Sequence, residues 1–76
     1  MDLIWAPRGR PPLAIECKWS ARDVDVGNLL VFARAYPQAT LVVVSPDARP
    51  AFTREHAGHK VRFVPLDTLA GELAGA

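Results

Sequence analysis

Two carboxylates and a lysine are the residues of this chain best suited to chemistry. They are Asp2, Glu16 and Lys18. Carboxylate oxygens are hard donors of the kind that Mg²⁺ or Mn²⁺ prefers. An ammonium beside them can stabilise developing negative charge. Other candidates are weaker. His56 and His59 stand three apart in His56-Ala57-Gly58-His59. Zinc uses such spacing, but with two further ligands, so a surface loop is the simpler reading. Arg8 and Arg10 flank Gly9 and could grip phosphate. A solvated loop is the simpler reading in a nearly neutral chain. Ser45 precedes Pro46 and has no His/Asp pair placed for it, so it receives no nucleophilic role.

Strands must position the carboxylates. In Leu13-Ala14-Ile15-Glu16-Cys17-Lys18-Trp19, large apolar residues alternate with Ala, Glu and Lys. Successive side chains of a strand point to opposite faces. One face is therefore expected to be apolar and the other to carry Glu16 and Lys18. Asp2-Leu3-Ile4-Trp5-Ala6 also suits a strand, and the intervening Pro7-Arg8-Gly9-Arg10-Pro11-Pro12 is a run of turn residues. With Gly9 at the centre of the loop, Ile4 opposes Ala14 and Asp2 opposes Glu16. Opposed residues share a face, with Cβ atoms ~5 Å apart. The same register gathers Leu3, Trp5, Leu13, Ile15, Cys17 and Trp19 on the apolar face. A slip of one residue would mix the two sets. Cys17 is then expected to be a buried small hydrophobe, and Trp5 and Trp19 to pack in the core.

The rest of the chain reads as an α/β domain. Ser20 or Asp23 can cap a helix over Val24 to Ala35, with Asp25 in its first turn. Val26, Leu29, Leu30 and Ala33 give it an apolar face. Gly27 weakens it by ~1 kcal/mol relative to Ala but allows close approach to the sheet. Pro37 stops it at Tyr36. Thr40-Leu41-Val42-Val43-Val44-Ser45 lacks polar alternation and should be a strand buried on both faces. Strand, helix and buried strand make a right-handed crossover with parallel strands. Pro46 to Lys60 reads as loop with a short helical turn near Ala51 to Glu55. Val61 to Val64 reads as a last, edge-ward strand. Leu66, Leu69 and Leu73 suit a terminal helix with Asp67 near its start.

Composition sets limits. Seventy-six residues make one small domain, residues 1–76, and half of them are apolar, as a globular core requires. A domain this small buries only ~60–65% of its unfolded surface. A net charge of +1 and a pI near 8.0 give no strong signature of nucleic-acid binding. One cysteine excludes an internal disulfide. No run is long enough to span a membrane and no signal peptide is evident, so a cytoplasmic location is expected.

The pattern Asp2, a hairpin, then Glu16-Cys17-Lys18 in an apolar strand resembles the PD-(D/E)xK nuclease superfamily. The stretch Asp2-Leu3-Ile4…Leu13-Ala14-Ile15-Glu16-Cys17-Lys18-Trp19-Ser20 is most similar to the nuclease-like C-terminal domain of certain prokaryotic AAA-type ATPases. Leu41-Val42-Val43-Val44-Ser45-Pro46 and Val64-Pro65-Leu66 fit the same pattern. The resemblance covers most of the chain. It implies a restriction-endonuclease-like core, a mixed β-sheet in β-β-α-β-β-α order. It implies Asp2, Glu16 and Lys18 as catalytic residues. It implies Mg²⁺ or Mn²⁺ held by Asp2, Glu16 and the Cys17 carbonyl, with DNA or RNA as substrate. It further implies a domain trimmed at its front, because the family has a helix before the first acidic strand and these residues carry neither that helix nor a Walker-type loop.

The expected function is metal-dependent phosphodiester hydrolysis. The alternative from another class is a catalytically silent interaction or dimerisation module, and a small apolar domain is expected to form a C2 homodimer.

Overall fold

The computed structural model describes residues 3–22 and 25–75. Asp2 and Asp23 lie outside these described residues. Five strands and two helices follow in the order β1 (Leu3–Trp5), β2 (Leu13–Cys17), α1 (Gly27–Ala35), β3 (Thr40–Val44), β4 (Phe52–His56), β5 (His59–Val64) and α2 (Leu66–Gly75). They form one mixed sheet in the spatial order β1-β2-β3-β5-β4. The three central strands are parallel, and antiparallel β1 and β4 close the edges. No helix among the described residues is long and apolar enough to cross a membrane.

The hairpin register is the expected one. Leu3 pairs with Ile15, Ile4 with Ala14 and Trp5 with Leu13. The Arg10 N–H donates to the Pro7 carbonyl at 3.3 Å, with Gly9 at φ 80° in the third position of the turn. Only a residue tolerating positive φ serves there.

Both faces of β2 are covered, so the face that carries Glu16 is packed as well as the apolar one. Leu13 and Ile15 join Val42, Val44 and Val64 in a cluster that Leu69 and Leu73 of α2 pack against. On the opposite face Ala14 joins Leu41, Val43, Val61 and Phe63 beneath Leu29 and Ala33 of α1. Parallel strands enclosed between helices are normally buried on both sides. β3 meets this rule as its unbroken apolar run predicts, with Leu41 to Val44 all buried.

The expected core overreached at its ends. Cys17 is exposed rather than buried, and Trp19, two residues beyond the last strand position, is 91% exposed. Trp5 and Leu3 share the α2 face but lie on the edge strand, 45% and 56% exposed. Alternation continued past the end of a strand carries no facing information.

α1 begins at Gly27 rather than Val24 and ends at Tyr36 before Pro37, as expected. Its start has no side-chain cap at Val26. Instead Asp25 Oδ1 accepts from the Gly27 N–H at 2.9 Å. A Cβ on Gly27 would stand 3.0 Å from that oxygen. Gly27 therefore makes room for the carboxylate and not for the sheet.

The segment expected to be a loop with a helical turn is instead a β-hairpin. β4 and β5 pair from Phe52↔Phe63 to His56↔His59, and Ala57 and Gly58 take φ 50° and 82°. Two central residues at positive φ make the type I′ turn that matches strand twist. β5 is consequently an interior strand, with β4 at the edge, and the element order carries one strand more than expected.

Candidate functional site at the carboxyl ends of the parallel strands

Glu16 is the penultimate residue of β2 and is 5% exposed. It pairs in register with Val43 of β3, on the α1 face. Lys18 leaves the strand immediately afterwards. Its N–H donates to the Val44 carbonyl at 2.9 Å, and this bond fixes the strand exit. Its Nζ lies 3.9 Å from Glu16 Oε1, with the lysine side chain about one-third exposed and that of glutamate almost wholly buried. A carboxylate and an ammonium are thus held by rigid backbone at the end of a strand, the lysine facing solvent. Cys17 lies between them on the opposite face of β2 by strand alternation.

The chains leaving β2, β3 and β5 enclose a groove of about 920 Å³. Its lining includes Cys17, Lys18 and Trp19 from the end of β2, Pro46 and Arg49 from the loop after β3, and Leu66 at the start of α2; Glu16 lies on the other face of β2 and does not line it. In open α/β sheets, ligands bind outside the carboxyl ends of the strands.

Asp47 joins the loops that follow β2 and β3, and sequence reasoning missed it. Its Oδ1 accepts from the Ser45 hydroxyl at 2.6 Å and from the Ala21 N–H at 2.8 Å. Its Oδ2 accepts from the Ser20 hydroxyl at 2.9 Å. These donors, led by the Ser45 hydroxyl, hold its carboxyl below the ordinary value of 3.8. The network ties the loop after β2 to the loop after β3. Ser20, expected as a helix cap, serves this network instead. The Ser45-Pro46-Asp47 turn was visible as a turn, but its partners at Ser20 and Ala21 lie 26 or more residues away and leave no local signal.

The remaining candidates do not gather here. Arg8 and Arg10 are exposed at the tip of the β1–β2 hairpin. That tip is at the opposite end of β2 from Glu16, roughly 15 Å away at ~3.3 Å per residue. His56 and His59 face each other across the β4–β5 turn, with the His56 ring 6.3 Å from that of Phe63. Among the described residues no group of three or more His, Cys, Asp or Glu side chains is placed to hold a metal ion. Asp2 lies outside that set.

No family model, curated protein or solved structure matches the chain.

Proposed function

We propose that this domain is nuclease-like, with a divalent-metal site for phosphodiester hydrolysis at the carboxyl end of β2. The observation that supports it most is the buried Glu16 beside Lys18 at the end of β2. Placing a carboxylate out of water is costly, and a small domain gains no packing from it that an aliphatic residue would not supply. The donor chemistry fits the metal: Glu16 offers hard oxygens, and the strand backbone, including the Cys17 carbonyl, offers more. Glu16 and Asp2 would hold Mg²⁺ or Mn²⁺. Such an ion would polarise the phosphodiester and supply hydroxide at neutral pH. Lys18 contributes no lone pair while protonated. It would place positive charge at the phosphoryl oxygens. The test is nicking of supercoiled plasmid with Mn²⁺, comparing the wild type with Lys18→Ala. Nicking by the wild type and its loss in Lys18→Ala supports the reading. Equal nicking by both proteins, or none by either, removes it.

A second reading has its own observation. Edge strand β1 exposes Leu3, Ile4 and Trp5, whereas the opposite edge, β4, carries Thr53, Arg54 and Glu55. Charged edges resist strand pairing and apolar ones invite it. An interaction module that pairs through β1, most simply with a second copy of the chain, accounts for this difference.

A further inference from the structure

Trp19 follows Lys18 directly and is 91% exposed. An indole held in water forgoes a large apolar burial, so this placement calls for an explanation. It flanks the groove at the carboxyl ends of β2, β3 and β5, whose volume lies in the range of ligand sites. Leu66, 71% exposed, stands in the same groove. Two cations line the groove with the indole: Lys18, its neighbour in the chain, and Arg49, ion-paired with Asp67 at 2.8 Å. A neighbouring hollow beside Ser20 and Asp47 carries Arg22 and Arg54.

An exposed aromatic platform flanked by cations is the chemistry of single-stranded nucleic acid. Unpaired bases stack on the ring, and phosphates meet the charges. A duplex keeps its base faces inside its own stack and cannot use such a platform. Lysine and other charges are depleted from the centres of protein–protein interfaces, so the partly exposed Lys18 beside the indole favours a polyanion over a protein. We propose that the groove beside Lys18 binds single-stranded nucleic acid, with an unpaired base on Trp19, so that the strand presented to Lys18 is single rather than duplex. The substrate clause rests on the phosphodiester reading; the binding itself needs no metal.

The experiment uses a Trp5→Phe chain, which leaves Trp19 as the only tryptophan. Single-stranded oligothymidylate, and the same strand in duplex with oligoadenylate, are titrated in EDTA at low salt. The single strand should quench Trp19 saturably, and the duplex should bind roughly tenfold more weakly or worse. Added salt should weaken the binding. With a fluorescein-labelled strand, Trp19→Ala in the otherwise natural chain should lose about tenfold or more in affinity. A second readout needs no variant: Cys17 is exposed in the same groove, and its alkylation by iodoacetamide should slow when the strand is bound.

Equal affinity for strand and duplex overturns the proposal. So does the absence of both quenching and protection, or quenching that follows protein concentration without oligonucleotide, which would mark the groove as a self-contact. Quenching and protection in a protein that binds no Mn²⁺ would retain the strand site while removing the phosphodiester reading. Mn²⁺ binding with neither response would do the reverse.

Discussion

Glu16 combines burial with a charge, and that combination separates stability from function. A buried carboxylate depends on a nearby cation, and replacing buried ionic groups by neutral ones is often neutral or stabilising. Lys18, 3.9 Å away and partly exposed, is a loose counter-charge. Glu16→Gln keeps the shape and removes the charge. It should leave thermal stability in metal-free buffer unchanged or raise it by up to about 1 kcal/mol, and it should abolish stabilisation by Mn²⁺. Differential scanning fluorimetry with and without the metal reads both effects. Asp47 behaves in the opposite way. Its donors favour the charged form, so its folded-state value lies below 3.8. Its contribution is then complete above the unfolded value and is lost as pH falls through the lower folded value. Asp47→Asn should reduce stability at neutral pH and flatten the acid limb of the stability curve below about pH 4; urea titrations across that range give the slope. The placement of Glu16 and Lys18 at the end of β2 was legible in the sequence because their spacing in an alternating strand is a local pattern. The Asp47 network could not, because its partners meet only through the fold. Trp19 was misplaced because the strand ends before it.

At the scale of elements, the sequence carried the β1–β2 register, the parallel β2-α1-β3 unit and the terminal helix. Each has a local signal: Gly9 between two apolar runs, Pro37 after an amphipathic segment, and Leu69 with Leu73. It did not carry β4. Phe52-Thr53-Arg54-Glu55-His56 is polar because it lies on an edge, with only its ends half-buried. Its membership is set by pairing with β5 and by the stacking of Phe52 on Phe63, centroids 4.7 Å apart. The Arg54 guanidinium, 5.0 Å from the Phe52 ring, covers that stack. The turn also hid the hairpin, since Ala57 at φ 50° is a poor residue for a left-handed position. Ala57→Asn creates the Asn-Gly pair favoured in type I′ turns and should stabilise the domain by about 0.5–1 kcal/mol. Gly58→Ala should destabilise it by about 1 kcal/mol. Paired denaturant melts check both, and a hairpin of another type would reverse or erase the contrast.

At the scale of the whole molecule, a 76-residue chain has little stability to spare, yet this one leaves Leu3, Ile4, Trp5, Trp19 and Leu66 in water. Exposed apolar surface of this kind marks contacts. The β1 edge should pair two copies about a twofold axis, and Ile4→Lys should shift sedimentation equilibrium toward monomer at tens of micromolar. An unchanged monomer for both proteins would exclude that assembly and leave the proposal for the groove after β2 unaffected. Isothermal titration calorimetry with Mn²⁺ on the wild type and on Glu16→Gln tests the proposed metal site most directly. A saturable heat in the wild type that is absent from a folded Glu16→Gln is the predicted result. Indistinguishable titrations from the two folded proteins would contradict it.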